Sequence, residues 1–292
     1  MTVDLHQHLW PDAFVAALRS RSAVPCLDGE TLVLDEGRFE YASSAHDPEQ
    51  RLAQLDRDEV DVAVVSLPAS LGLGALTPDE RRGLEDAWID GIRELVEGAN
   101  GRLAALAPDR VVDGFVGTSV SAEIFDDFDA SAPLLEEVSQ VGGYLFVHPG
   151  PVRHRPGAPR WWAGIVEYAA GMQSAWFSWL DGGRERLPEL RIVFAMLAGG
   201  APFQLERLAL RSPLDVRSML DRNVYLDVST HGRRAIELCI ETFGVEQLVY
   251  GSDVPVVEAA PTLRAVRAFG DSVAHIILHD NPEKLLRQRV DP

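Results

Sequence analysis

Short runs rich in β-branched and aliphatic residues alternate with helical stretches from one end of the chain to the other. The runs at 3–9, 60–67, 103–107, 114–120, 143–147, 191–197, 224–228 and 247–251 read as eight strands. Most of the segments between them carry helical spacing and start signals. Asp47-Pro48-Glu49 stands ahead of Arg51, Leu52 and Leu55, and Thr77-Pro78-Asp79-Glu80 opens a long amphipathic run. Between the third and fourth strands, residues 108–113 leave little room for a crossover helix. Residues 32–41, centred on Asp35-Glu36-Gly37, predict a β-hairpin inserted after the first strand.

Eight such units, with no linker, strict repeat or low-complexity segment among them, predict one α/β domain over residues 1–292, a (β/α)8 TIM barrel. An open doubly wound sheet is the competing arrangement, but no G-x-G-x-x-G follows the first strand; His6-Gln7-His8 does. A chain of 292 residues, 46% of them hydrophobic, is long enough to bury a large core in a single unit.

Charge and composition then remove whole classes of function. Lys and Arg number 27 against 45 Asp and Glu, a net charge of −18 that repels phosphate backbones and anionic lipid, so no nucleic acid or membrane partner is expected. No apolar run reaches the length of a membrane span and residues 1–10 lack a signal-like pattern, which reads as a soluble, cytoplasmic protein acting on a small molecule. Cys26 and Cys239 are too few for a disulfide framework or a thiolate zinc site. The single lysine, Lys284, falls in a late helical segment at 281–289, so Schiff-base catalysis and P-loop phosphate binding have no lysine to use.

In a barrel of this kind chemistry gathers where the strands end. His6 and His8 lie two apart at the end of the first strand and share its inward face. His148 closes the apolar run Tyr144-Leu145-Phe146-Val147, and Asp253 closes Leu248-Val249-Tyr250-Gly251-Ser252. A buried core histidine and a helix-capping aspartate are the plain readings of each alone. Together, three imidazoles and one carboxylate on three strand ends describe a site for one divalent ion, Zn²⁺ first, with Mn²⁺ or Fe²⁺ as alternatives.

The order of landmarks is also that of a known family. Asp4-Leu5-His6-Gln7-His8, His46-Asp47-Pro48-Glu49-Gln50-Arg51, Val147-His148-Pro149-Gly150, Leu187-Pro188-Glu189-Leu190, Gly199-Gly200-Ala201-Pro202-Phe203, Tyr250-Gly251-Ser252-Asp253 and Asn281-Pro282-Glu283-Lys284 span nearly the whole chain. In them the sequence resembles the amidohydrolase-related (amidohydrolase 2) family that includes aminocarboxymuconate-semialdehyde decarboxylase. The resemblance implies a mononuclear metal held by His6, His8, His148 and Asp253, and a homodimer. It agrees with the lysine count, since the two-metal branch bridges its ions with a carbamylated strand lysine. It also implies that Arg51 contacts a substrate carboxylate; the same arginine equally reads as a helix-surface partner of Glu49 or Asp47.

One departure stands out. Relatives carry a histidine at the end of the sixth strand that handles a proton at the metal, and this chain has Met196 in Ala195-Met196-Leu197-Ala198-Gly199-Gly200. A thioether takes no proton. Asp253 can serve as both ligand and base, and His231, after the seventh strand, is a second candidate; His154 follows His148 in a long loop, and both histidines equally read as solvated. His46, His275 and His279 have no strand-end placement and receive no role. Among Trp161, Trp162, Trp176, Phe177 and Trp179, most read as packing, with Trp161 a candidate wall for a flat substrate. The expected function is a metal-dependent decarboxylase or hydrolase of a small carboxylated or carbonyl-containing substrate. The alternative is a catalytically silent barrel that keeps its metal for structure or ligand sensing.

Overall fold

In the computed structural model, which describes residues 1–212 and 221–287, strand β1 (Val3–Gln7) is buried along its whole length. Helix α1 (Asp12–Arg19) follows, and then an antiparallel sheet of β2 (Cys26–Asp28), β3 (Thr31–Leu34) and β4 (Gly37–Glu40). The expected hairpin is therefore the outer pair of a three-stranded insertion, and it leaves the chain after α1 rather than directly after β1. Three residues between Pro25 and Gly29 are too few to show a period-two pattern, which is why β2 escapes a reading of the sequence.

From α2 (Pro48–Asp58) onward the chain follows the β/α alternation. Asp47 caps α2 by accepting from the Gln50 N–H at 2.8 Å, and Thr77 and Glu80 form a reciprocal capping box at the start of α3 (Pro78–Gly98). The strands β5 (Val62–Val65), β6 (Leu103–Pro108), β7 (Gly117–Ser121), β8 (Tyr144–His148), β9 (Arg191–Phe194), β10 (Val224–Asp227) and β11 (Leu248–Val249) complete a parallel set with β1. No helix separates β6 from β7, as the short connection requires. The sheet closes on itself: Leu5 N donates to Tyr250 O at 2.9 Å, His8 N to Val254 O at 2.7 Å and Asp253 N to His6 O at 2.8 Å. This is a (β/α)8 barrel. Two strands are shorter than their apolar runs, because the chain turns after Phe194 on β9, bringing Met196 to the barrel mouth, and after Val249 on β11, bringing Asp253 there. Lys284 lies on helix Asn281–Leu286, and positions 288 and 289 of the expected segment fall outside the described residues.

Helix α3 is tied to the site end of β1. Trp88 is fully buried, and its indole N–H donates to the Leu9 carbonyl at 3.0 Å, one residue beyond His8. Trp88→Ala should cost about 3–5 kcal/mol through the cavity it leaves. Trp88→Phe keeps most of the apolar volume but orphans a buried carbonyl, and should cost about 1–3 kcal/mol. Denaturant titration of the two variants against the parent checks both values and their order.

Candidate metal centre

Strand β1 alternates Leu5 and Gln7 with His6 and His8, so both imidazoles enter the barrel mouth, with exposures of 1% and 2%. His148 arrives from the end of β8. Asp253 arrives after β11 on a left-handed backbone (φ 65°), which turns its N–H to His6 O and its carboxylate inward. One ligand atom from each of the four lies within 4.8 Å of the others. His6 Nε2 is 3.2 Å from His8 Nε2, and Asp253 Oδ1 is 3.5 and 3.3 Å from those two nitrogens.

The other ring nitrogens settle what this cluster is. His6 Nδ1 meets Asp227 Oδ2 at 2.8 Å, His8 Nδ1 meets Ser66 O at 3.0 Å, and His148 Nδ1 meets Pro149 O at 3.0 Å. A carboxylate and two carbonyls only accept, so each Nδ1 carries the proton and each neutral ring turns a bare Nε2 lone pair to the centre. Lone pairs that converge in a dry mouth repel unless a cation lies between them. Three imidazole nitrogens and a carboxylate oxygen suit a divalent ion of the Zn²⁺ or Mn²⁺ type, and the residues fit such a group. Without a cation the three rings differ: His8 and His148 favour the neutral form, and His6 is the ring that takes a second proton most readily. Burial pushes His8 down and His148 well below the ordinary histidine value; burial also works against a charged His6, but Asp253 and Asp227 outweigh it and raise that group. For Asp253, burial is opposed by the three imidazoles, which hold the carboxyl below its usual range.

Buried groups behind the ligands fix their aim. Asp227, fully buried on β10, accepts from Ser229 Oγ at 2.6 Å and Ser229 N at 2.8 Å while it holds His6. A Cβ at Gly251 would stand 2.3 Å from Asp227 Oδ1 and 2.5 Å from His6 Cβ, so only glycine fits beside that pair. Asp4 accepts from His6 N, Gln7 Nε2 and Ser252 N, joining β1 to the turn that carries Asp253. Arg51 belongs to this group as well. Its guanidinium is 2% exposed and donates to Gln7 Oε1 at 2.9 Å, to His8 O at 3.1 Å and to Ala45 O at 2.7 Å. Arg51 therefore does not line the cavity and makes no ion pair with Glu49 or Asp47; its donors go to the Gln7 side chain and to the His8 and Ala45 carbonyls.

Above the four ligands opens a cavity of about 500 Å³. Its wall includes Trp161, Tyr168, Met196, Glu36 and Arg160, together with the near-parallel rings of Trp10, Tyr41 and His46. Trp161 is thus placed as a wall, whereas Trp176 and Trp179 are buried packing. Met196 does face the metal residues, though from a turn rather than a strand: positions 196–200 all have positive φ, from 50° to 82°. His231 points elsewhere, its Nδ1 meeting Ser229 O at 2.8 Å, and it forms no part of the cavity wall. His46, given no role from sequence, accepts from Trp10 N at 3.1 Å. Its neighbour in sequence order, Arg51, offers no hint of this, because the contact joins residues 36 positions apart. Asp227 was legible in principle as a charged residue inside an apolar strand.

Barrel and site together place the chain in a known class. A sequence profile described as Amidohydrolase matches residues 3–288, and the chain belongs to that family. It is 23% identical to the 2-amino-3-carboxymuconate-6-semialdehyde decarboxylase of Dictyostelium discoideum, over 98% of this chain and 91% of the relative. Among solved structures it is similar to the apo IDCase of Metarhizium anisopliae (TM-score 0.82, 18% identity, 98% and 97% of the two chains covered). It is also similar to a D314N variant of 5-carboxyvanillate decarboxylase from Novosphingobium aromaticivorans with bound manganese and 3-methoxy-4-hydroxy-5-nitrobenzoic acid (TM-score 0.75, 17% identity, 98% and 97% covered).

Two measurements follow from the geometry. Asp227→Asn should leave the fold intact but lower divalent-ion affinity about 10–100-fold, because the partner that orients and polarises His6 is weakened; competition against a chromophoric chelator reads this directly. The second concerns pH. Burial, with the Arg51 charge behind it, pushes His46 down to about 3. A histidine that gains its proton only on unfolding makes stability fall as pH drops from its unfolded value, about 6.5, toward 3. In chelator-treated protein His46→Gln should show a shallower decline in unfolding free energy between about pH 7 and pH 5 than the parent.

Proposed function

We propose that the chain is a divalent-metal-dependent decarboxylase, a carbon–carbon lyase, of a small carboxylated aromatic acid. The observation that carries this reading is the set of three bare Nε2 atoms and one carboxylate at the floor of an aromatic-walled cavity. The decarboxylases it resembles support the choice of reaction. Three imidazoles favour Zn²⁺; the manganese in a structural relative makes Mn²⁺ the second choice. A bound ion supplies stabilisation of negative charge on substrate oxygens.

His6, His8, His148 and Asp253 would hold the ion, while Trp161 and the Trp10–Tyr41 layer exclude water and stack the ring. Asp253 is 14% exposed, against 1% for His6 and 2% for His8, and so is the ligand that opens to the cavity. As an ionised carboxylate it would take the proton of the substrate's ring hydroxyl and return it to the ring carbon as the C–C bond breaks, the electron pair staying with the ring and CO₂ leaving. Met196 offers no site for a proton, which weighs against hydrolysis, where an attacking water must be deprotonated. The same methionine favours the second reading, a silent metal-binding barrel. The chain would work in the cytoplasm, where free, buried Cys26 and Cys239 stay reduced, and as a homodimer.

Elemental analysis coupled to CO₂ release from a panel of hydroxybenzoates and 5-carboxyvanillate tests the proposal. About one ion per chain is expected, with activity lost on chelation and restored by Zn²⁺ or Mn²⁺. Asp253→Asn should lower kcat by about 100-fold or more, while Met196→Ala retains most of it. Turnover of lactones or amides instead, or a metal-loaded chain that decarboxylates nothing until Met196→His restores activity, would overturn it.

A further inference from the structure

We propose that a basic pocket beside the metal cavity binds a second anionic group, carboxylate or phosphate, on the substrate. The pocket, about 220 Å³, lies between the inserted sheet and the loop that follows His148, and Arg153, Arg155 and Arg160 from that loop line it. His154 N donates to Asp35 O at 2.9 Å, which docks the loop on the tip of the inserted hairpin. Arg155 lies over the Trp162 ring with its guanidinium carbon 4.8 Å from the centroid, so the ring face holds this cation in place.

Two features leave this exposed cluster open to an anionic arm of the substrate. First, none of the three arginines has a carboxylate within ion-pair distance among the described residues, in a chain with 45 acidic side chains. Their guanidinium donors are therefore not committed to a carboxylate, as those of Arg81, Arg102, Arg110 and Arg267 are. Two acids, Glu36 and Glu167, and a fourth arginine, Arg38, also line the pocket; Glu36 accepts from the Tyr168 hydroxyl at 2.6 Å and Arg38 pairs with Asp28 at 3.2 Å. Second, the pocket adjoins the metal cavity: Glu36, Phe39, Arg160 and Ala163 line both. With Arg51 turned into the protein, Arg160 is the one arginine among the described residues in the metal cavity's wall. A ring over the metal ligands can therefore extend a charged arm past Arg160, where a guanidinium fork accepts it in bidentate fashion. This assigns the insertion a purpose, as the second wall of a subsite for the remote end of the substrate.

The proposal rests on the decarboxylase reading for its substrate, but the anion pocket is testable without turnover. Chelator-treated protein is titrated calorimetrically with inorganic phosphate and with 4-carboxyphenyl phosphate at low salt. Both should bind and should compete, the aromatic phosphate at least about tenfold more tightly because its ring enters the adjoining cavity. The exposed double substitution Arg153→Gln/Arg160→Gln should weaken both about tenfold or more, whereas Arg267→Gln, far from the pocket and paired with Glu59, should change neither. Equal affinity of the two ligands, or their simultaneous binding, would show a site for a free anion and overturn the substrate arm. Affinity unchanged by the double substitution would overturn the pocket itself. An absence of decarboxylation with these binding results intact would count against the proposed reaction and not against the pocket.

Discussion

Three imidazole lone pairs and a carboxylate can be held together in a dry barrel mouth only if the remaining polar atoms around them are already committed. Each histidine here spends its Nδ1–H on an acceptor, and two of those acceptors belong to neighbouring strands or loops rather than to the histidine's own segment. The barrel seam is part of the same arrangement. Asp4 and Asp253 bridge β1 to the chain after β11, so closing the sheet and assembling the ligand set are one event. Because Asp4 and Asp227 are fully buried, loss of any partner would leave a charge without compensation.

The mouth is also where the backbone departs from low-energy conformations. Met196, Leu197 and Ala198 all adopt left-handed φ between 50° and 54°, at a cost of about 1 kcal/mol or more each. Packing holds the turn in place: Gln173 Nε2 donates to Gly199 O at 2.6 Å, and a Cβ on Gly199 would approach Ala169 O to 2.2 Å. The result is a methionine, which takes no proton, in the wall of the cavity above the ligands. The turn sets an apolar thioether in the cavity wall, and Asp253 is the ligand most open to that cavity.

Much of the cavity wall above the ligands comes from parts outside the barrel repeat. The inserted three-stranded sheet supplies Glu36, Phe39 and Tyr41, and the loop after β8 supplies Arg160 and Trp161; neither wall exists without the other. A scaffold of eight regular units thus fixes the ligands, and two irregular segments decide what can lie above them, in keeping with the division of labour between rigid strands and variable loops in this fold.

How much of this was written in the sequence depends on the range of the interaction. Eight apolar runs, the caps at Asp47 and Thr77, and the placement of His6, His8, His148 and Asp253 at strand ends follow from local periodicity and turn chemistry, so they could be read without coordinates. The insertion was legible only in part, since β2 is too short to show a period. The setting of Arg51 could not be read locally because its partners, the carbonyls of His8 and Ala45 and the Gln7 side chain, become neighbours only when α2 packs on the end of β1. Asp227, His46 and the arginine pocket depend on contacts between residues far apart in sequence. Sequence by itself determined which side chains can hold a metal; the tertiary structure decided which nitrogen each histidine offers and which arginine faces the cavity, because both are set by hydrogen bonds that only chain closure brings together.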